Sequence, residues 1–262
     1  LIVMDADLSG STKTKAFARE FPKRFVQSGI SEQDLMAEAA GIAATGHVVC
    51  ASSFAMFAAG RAYEIIRNSI AANGLNVKVC ATHADITVGE DGASHQTFED
   101  ISLMRTIPGM TVINPADGIS AKKLLEQVID SDGPAYVRLG RSGIPVIYDE
   151  DEKIELGKAH VIKEGRDVTI FATGIMVDSA LEAEKVLAEE GIDAEIIDIH
   201  TIKPLDEEAV IASAKKTGRV VTAEEHSIIG GLGSAVAEVL SQQRWLLSDS
   251  MTHSENRESR MN

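Results

Sequence analysis

Short apolar runs alternate with segments of helical periodicity along the chain, and this alternation constrains the fold more than any other feature. In the first half the runs of strand length cover residues 1–5, 24–27, 47–51, 76–82, 110–114 and 135–139. The clearest helical patterns between them cover residues 31–45, 54–72 and 117–130. We interpret Ser31 as the N-cap of the first helix and Asp117 as the start of the third. Strands joined by helical crossovers predict a mainly parallel sheet covered on both faces.

The pattern is interrupted near residue 150. Ser142-Gly143-Ile144-Pro145 breaks the alternation, and the charged run 148–153 is typical of a solvated connector. A second series then follows, with strands at 167–172, 193–199 and 218–223 and helices at 176–190, 206–216 and 231–242. The sequence therefore predicts an α/β protein of two doubly wound, mainly parallel sheet domains, covering residues 1–145 and 151–243.

Composition excludes some partners. The 262 residues carry 25 basic and 40 acidic side chains, and the net charge of −15 argues against nucleic acid or an anionic membrane as a partner. Cys50 and Cys80 end apolar runs without ligand-type neighbours, which is typical of buried, reduced thiols. We therefore expect a cytoplasmic protein. Because the chain begins at Leu1 inside an apolar run, we expect it to start within a longer native sequence.

The loop that follows the run 76–82 carries the densest chemistry in the sequence. His83, Asp91 and His95 lie within 13 residues of one another at the end of a predicted strand, and such strand-end loops hold the active sites of open α/β sheets. Two imidazoles and a carboxylate suit proton transfer and the binding of hydroxylated, phosphorylated substrates. Polar residues that merely cap a neighbouring helix are the alternative.

Other strand ends contribute further candidates, each with a structural alternative. Residues 5–12 supply carboxylates and hydroxyls, or only a capping turn. Glu32 opens a helix, where a glutamate is usually a surface residue that complements the helix dipole. Phe54 and Phe57, three residues apart, are either core residues or a flat platform for a cofactor ring. Arg141 follows the last strand of the first half and could bind a phosphate with two N–H groups.

A glycine-rich turn, Gly230-Gly231-Leu232-Gly233, opens the last predicted helix. Backbone N–H groups at such a helix start could hold an anion. The spacing does not match the dinucleotide fingerprint, however, and no acidic residue follows at the required distance. We therefore interpret the turn as a packing feature.

Three motifs resemble, in order and spacing, the pyrimidine-binding domain of transketolases. They are Gly29-Ile30-Ser31-Glu32-Gln33, Ser53-Phe54-Ala55-Met56-Phe57, and the loop His83…Gly89-Glu90-Asp91-Gly92…His95-Gln96. Residues 150–243 resemble the transketolase C-terminal domain. The whole is similar to the C-terminal subunit of split transketolases, whose two halves are separate polypeptides.

This resemblance implies a thiamine diphosphate enzyme that transfers a two-carbon ketol unit between ketose and aldose sugar phosphates. Glu32 matches the glutamate that hydrogen-bonds the aminopyrimidine, and we expect it to be catalytic together with His83 and His95. Phe54 and Phe57 match the platform under the pyrimidine, although the family commonly has a tyrosine where this chain has Gly60. The other positions implied by the resemblance are Asp7 for the cofactor and Ser11, His83, Asp91, His95 and Arg141 for the substrate.

The resemblance also implies a partner. The Gly-Asp-Gly…Asn signature that holds Mg²⁺ in the family does not occur in this sequence, so the Mg²⁺ ligands are expected from an N-terminal subunit and none from this chain. We expect a heterotetramer with the active site at the interface, and no activity from this chain alone.

Residues 244–262 have neither strand alternation nor a helical stripe. The family's final strand and an Asp-Thr-Phe-Gly-Glu-Ser-Gly-like turn are expected there, and codons for residues 251–258, read two bases on, can encode that turn. We interpret this atypical tail as the product of a frameshift near residue 243, which the nucleotide sequence would test.

Three alternatives stay open at this stage. A deoxyxylulose-phosphate synthase uses the same cofactor but usually has an arginine where His83 stands. The β subunit of a 2-oxoacid dehydrogenase lacks paired histidines at this spacing. A non-catalytic scaffold or regulatory subunit would retain the fold, and Gly60 favours that reading weakly.

Overall fold

The structure, a computed structural model, describes residues 1–243, so the atypical tail lies outside the described residues. Six strands of the first half form a parallel sheet in the order β5-β6-β4-β3-β1-β2. Their bounds are β1 Ile2–Asp5, β2 Phe25–Gln27, β3 Val49–Phe54, β4 Val77–Thr82, β5 Thr111–Ile113 and β6 Ala135–Arg138. All six predicted strands of this half are confirmed. Because they run parallel, their carboxyl ends share one edge of the sheet.

The helices of this half differ more from the prediction. They are α1 Lys15–Glu20, α2 Glu32–Ala43, α3 Tyr63–Ile65, α4 Asp100–Arg105 and α5 Gly118–Asp130. The predicted helix 54–72 is interrupted, because α3 lies between the π-helical turns Met56–Arg61 and Ile66–Ile70. The six-residue helices α1 and α4 are absent from the prediction, since a single turn and a half carries no clear hydrophobic period.

Two helix starts differ in their side-chain capping. Asp117 caps α5 as predicted, since its Oδ1 accepts from Ser120 N at 2.7 Å and Ser120 Oγ accepts from Asp117 N at 3.0 Å. Ser31 stands at the N-cap position of α2 as predicted, but its side chain makes no capping hydrogen bond.

The second half builds a smaller sheet. Its four strands are β7 His160–Lys163, β8 Val168–Ala172, β9 Ala194–Asp198 and β11 Val220–Ala223. A further strand of this half, β10, covers Thr201–Lys203. The helices are α6 Met176–Glu189, α7 Glu207–Thr217 and α8 Leu232–Ser241. The strand order is β11-β8-β9-β7, and only β7 runs antiparallel to its neighbour. The predicted α/β class with mainly parallel sheets is confirmed.

Strand β10 does not join the sheet of its own half. It pairs antiparallel with β5, Thr201 opposite Ile113, and becomes the seventh strand of the first sheet. Lys203 Nζ adds hydrogen bonds to the carbonyl oxygens of Arg105 and Ile107, at 2.8 and 2.6 Å. Three residues are too few to show strand alternation, so this exchange between the two halves could not be predicted.

The core of the first sheet is closed by α2 and the segment 56–70. Leu35, Met36, Ile66 and Ile70 are fully buried beside Met4 of β1. The alanines of α2 pack in this same cluster: Ala39, Ala40 and Ala43. Cys50 and Cys80 are free and buried, as predicted. None of the helices within residues 1–243 combines the length and apolarity needed to cross a lipid bilayer.

The glycine-rich turn before α8 is a packing feature, as interpreted from the sequence. Glu224 accepts hydrogen bonds from Leu232 N at 2.6 Å and Gly233 N at 2.9 Å, so a carboxylate of the chain itself occupies the anion position. A Cβ at Gly231 would lie 2.1 Å from Glu224 Oε2, which explains the need for glycine there.

Candidate active site

Four aromatic side chains meet at the carboxyl ends of β3 and β4. The imidazole of His83 stacks on Phe54 with 3.9 Å between ring centroids and an interplanar angle of 23°. Phe57 lies 6.4 Å from Phe54, and the edge of His95 approaches Phe57 at 5.2 Å. Phe54 and His83 are buried, whereas Phe57 and His95 are partly exposed. The structure thus brings two phenylalanines and two histidines from separate segments into one cluster.

Glu32, the first residue of α2, is buried next to this cluster. Its Oε1 lies 3.4 Å from Ser53 Oγ, which donates to it from the end of β3. Its Oε2 accepts from Nη1 of Arg61 at 3.0 Å. A carboxylate that is only 2% exposed needs such partners, because an unpaired buried charge is costly. Arg61 was not singled out in the sequence analysis, since an isolated arginine inside a helical pattern carries no signal.

The loop between β4 and α4 holds the histidines in a constrained conformation. His83 has a positive φ of 57°, and its Nδ1 pairs with Thr82 Oγ1 at 3.0 Å. Burial lowers the pKa of His83, and the charge of Arg141 lowers it further, against the opposing effect of Asp91. The His83 imidazole is therefore mainly uncharged at neutral pH. Asp91 itself is exposed.

Arg141 lies beside this loop, after β6. Its guanidinium donates to the carbonyl oxygen of Val88 and, at 3.2 Å, to Glu90 Oε1. Since Glu90 is 85% exposed, that ion pair leaves the arginine free to exchange partners with an anion. The positive charge of Arg141 also contributes to the lowered pKa of His83.

The loop after β1 presents Asp7 and Ser11, both exposed. Asp7 has a φ of 63°, and its backbone N–H donates to Gln27 Oε1 at 2.7 Å. The described contacts do not join either side chain to the histidine cluster. They do show what fixes the loop: the hydroxyl groups of Thr12 and Thr14 both donate to Oδ2 of the buried Asp5, at 2.6 and 2.8 Å.

Lys13 is a further candidate that the sequence analysis missed. It lies between the two anchored threonines with a φ of 67°, and its charge contributes to the lowered pKa of His83. An exposed lysine in a left-handed conformation, close to a catalytic candidate, suits the binding of an anionic substrate. The run Ser11-Thr12-Lys13-Thr14 could have indicated this, because hydroxyl groups and a lysine together favour phosphate.

A buried ionic cluster around Arg138 contacts the loop between β4 and α4. Arg138 binds Asp100 with two hydrogen bonds and also pairs with Asp85. Its Nη2 donates in addition to the carbonyl oxygen of Glu225 in the second half, at 3.1 Å. Asp85 has a φ of 83° and a ψ of −177°, a region adopted essentially by glycine alone, so its backbone is strained.

A partly open cavity of about 350 Å³ is lined almost entirely by residues of the first half, with Ile175 from the second. Its polar lining includes Asp85, Thr87, Asn114 and Ser142. None of the predicted site residues lines it. The clustered histidines, carboxylate and aromatic rings make the open edge of the first sheet the better candidate.

This arrangement fits the heterocycle of thiamine diphosphate. A buried carboxylate offers an acceptor, and adjacent aromatic rings offer a flat apolar face. Among residues 1–243, the Oε2 atom of Glu32 is engaged only by Arg61, whose side chain is 53% exposed and therefore able to move.

Comparison with known proteins defines the class. The family model described as transketolase, pyrimidine-binding domain matches residues 1–146, and that described as transketolase, C-terminal domain matches residues 157–250. The chain belongs to the transketolase family. Membership implies dependence on thiamine diphosphate, whose pyrimidine gives the first domain its name.

Within that family the chain corresponds to the C-terminal section of a split transketolase. It is 54% identical to a protein of Methanocaldococcus jannaschii that bears the name of a transketolase C-terminal section, over 92% of this chain and 76% of that protein. It is 46% identical to the 6-deoxy-6-sulfo-D-fructose transketolase subunit SqwH of a Clostridium species, over 92% and 75%. Human transketolase is 34% identical, and the chain covers 39% of it.

Comparison with solved structures leads to the same family. A split-gene transketolase described as an inactive β4 tetramer superimposes with a TM-score of 0.86 at 55% identity, over 92% of this chain and 78% of that one. A transketolase of Pichia stipitis superimposes with a TM-score of 0.75 at 26% identity, over 87% of this chain and 36% of that one.

Proposed function

We propose that this chain is a catalytic subunit that works with an N-terminal transketolase subunit, in a heterotetramer. The complex transfers a two-carbon ketol unit between ketose and aldose sugar phosphates. The observation that carries the proposal is the meeting of Glu32, Phe54, Phe57, His83 and His95 at one edge of the first sheet. Residues 1–145 and 151–243 would be its two domains, and its location cytoplasmic.

Each side chain has a proposed task that its surroundings support. Thiamine diphosphate, when bound, supplies a carbanion that adds to a ketose carbonyl. Glu32 would accept from the edge of the aminopyrimidine, with Phe54 and Phe57 against its face. Asp7 would lie near the cofactor at the subunit contact.

The histidines would handle protons and substrate hydroxyl groups. An uncharged His83 can accept a proton at neutral pH and return it from the imidazolium form, and its stacking on Phe54 fixes the orientation of its ring. His95 would face the same substrate, since its ring lies 5.2 Å from Phe57 and 6.1 Å from Phe54 between ring centroids. Asp91 would bind a sugar hydroxyl, while Ser11 and Arg141 would bind the phosphate.

Magnesium would accompany the diphosphate, with its ligands supplied by the N-terminal subunit. Carboxylate and amide oxygens are the ligands that Mg²⁺ prefers, and the family run that provides them does not occur in this sequence. The choice of sugar is left open by the relatives, since SqwH is named for a sulfo sugar and another relative for apulose 4-phosphate.

The test is reconstitution with the N-terminal subunit, thiamine diphosphate and Mg²⁺, followed by a coupled donor–acceptor assay. We expect turnover from the mixture and none from this chain alone; turnover by the single chain would refute the shared site. Glu32→Ala and Glu32→Gln should each abolish activity. Glu207→Gln is the matched control, because Glu207 also opens a helix but is exposed. Activity that survives Glu32→Ala would identify a scaffold instead.

A further inference from the structure

Arg61 contacts both of the groups that the proposed function assigns to the heterocycle. Its Nη1 donates to Glu32 Oε2 at 3.0 Å. Its guanidinium carbon lies 5.2 Å from the centroid of the Phe57 ring. The arginine is 53% exposed and the glutamate 3%, so the ion pair joins a solvent-facing side chain to a buried one.

The two contacts use the same chemistry that an aminopyrimidine would use. A guanidinium is planar, donates N–H groups along its edge to a carboxylate, and places its face against an aromatic ring. The second oxygen of Glu32 is directed at Ser53, 3.4 Å away, which leaves Oε2 as the outward acceptor. Arg61 and a heterocycle would therefore compete for Oε2 of Glu32 and for the face of Phe57.

The position of Arg61 in the chain allows it to move. It ends the π-helical turn Met56–Arg61 and follows Gly60, and no other acidic side chain pairs with it among residues 1–243. Its long side chain can extend into solvent without burying its charge. Because the guanidinium itself faces solvent, it can leave Glu32 without burying its charge once a ligand takes its place at the carboxylate.

We propose that Arg61 is a positioning residue that occupies the edge of Glu32 and the face of Phe57 until the heterocycle displaces it. This inference rests on the proposed function. In the unassembled chain the arginine keeps a buried carboxylate paired, which would otherwise destabilise the fold. On assembly it must leave, so it competes with the cofactor and sets how readily the site is loaded.

The first test uses the isolated chain. Arg61→Gln should lower the midpoint of thermal unfolding, and most of that loss should disappear when Glu32→Gln is also present, because the pair then has no charge left to balance. Arg67→Gln is the control, since Arg67 is exposed and its Nη1 donates to the exposed Asn68. Losses that add in the double variant would show that the two residues do not act on each other.

The second test measures cofactor binding by calorimetry. Thiamine diphosphate is titrated into the complex of this chain with the N-terminal subunit and Mg²⁺. Arg61→Gln should tighten binding by about two- to fivefold, the factor that corresponds to an exposed ion pair, and Arg67→Gln should not change it. Unchanged or weaker binding with Arg61→Gln overturns the inference.

The two proposals fail separately. If the wild-type complex binds thiamine diphosphate and Glu32→Gln weakens that binding, the proposed function stands and the Arg61→Gln titration decides the inference. If the wild-type complex does not bind it, or if Glu32→Gln has no effect, the proposed function fails and the inference with it.

Discussion

The guanidinium of Arg138 binds the carboxylate of Asp100 through two hydrogen bonds, Nε to Oδ2 at 2.7 Å and Nη2 to Oδ1 at 3.1 Å. Tyr136 donates to the same Oδ2 at 2.7 Å. Burial acts to raise the pKa of Asp100, but the charge of Arg138 and these hydrogen bonds outweigh it and lower that pKa. The cluster joins β6, α4 and the second half of the chain, and Asp85 connects it to the loop that carries His83.

Substitution of Arg138 should therefore destabilise the fold strongly. We expect Arg138→Leu to lower the free energy of unfolding by about 3–5 kcal/mol, because it leaves the buried Asp100 carboxylate without its counter-charge. Urea denaturation of the isolated chain measures this. Arg166→Ala breaks an exposed pair with Asp193 and should cost no more than about 1 kcal/mol. Similar losses in the two variants would contradict the argument.

Asp85 should make the fold less stable as the pH rises. Burial raises the pKa of Asp85 to about 8, although Arg138 opposes the shift. The folded chain then keeps a proton that the unfolded chain releases near pH 4, so stability falls between about pH 4 and about pH 8. Asp85→Asn cannot ionise and should flatten this fall, by at most about 1.4 kcal/mol per pH unit.

Urea denaturation at about pH 5 and about pH 8 checks the Asp85 prediction. Asp34→Asn, at an exposed position of α2, serves as the control and should leave the pH dependence as it is. Equal pH dependence in wild type and Asp85→Asn would show that Asp85 is ionised throughout the window.

Lys13 should act on substrate binding rather than on the chemical step. Its charge lies close enough to His83 to affect that imidazole, and Thr12 and Thr14 hold its backbone in place. In the reconstituted complex we expect Lys13→Ala to raise KM for a sugar phosphate by about three- to tenfold, the value of one charged contact, with kcat unchanged. Lys15→Ala, two residues further on, should change neither. A loss confined to kcat would count against this role.

Two glycine substitutions should have opposite effects on the stability of the chain. Gly231→Ala places a methyl group 2.1 Å from Glu224 Oε2 and should cost about 1–3 kcal/mol by moving that carboxylate off the start of α8. Gly41→Ala lies in α2 with no atom within 4 Å of the new methyl group, and should stabilise the chain by about 0.5–1 kcal/mol. Thermal unfolding of both variants tests the pair; a stabilising Gly231→Ala would refute the crowding.

The sequence predicted the strands of the first sheet because each is a buried apolar run bounded by polar or glycine residues. It also predicted that Phe54, Phe57, His83 and His95 belong to one site, since they follow parallel strands. It could not predict Arg61 or Arg138, because a partner 29 or 38 residues away leaves no local pattern. Strand β7 was not predicted for another reason, because its residues are mostly half exposed and form no apolar run.

The exchange of β10 has a consequence for how the chain can be divided. A polypeptide that stops at the connector near residue 150 would leave β5 with one unpaired edge, its backbone N–H and C=O groups turned to water or to another molecule. The remaining fragment would carry a stray three-residue strand with nothing to pair with. The first sheet is therefore complete only when a strand of the second half is present, and we expect neither half to be fully paired as a separate polypeptide.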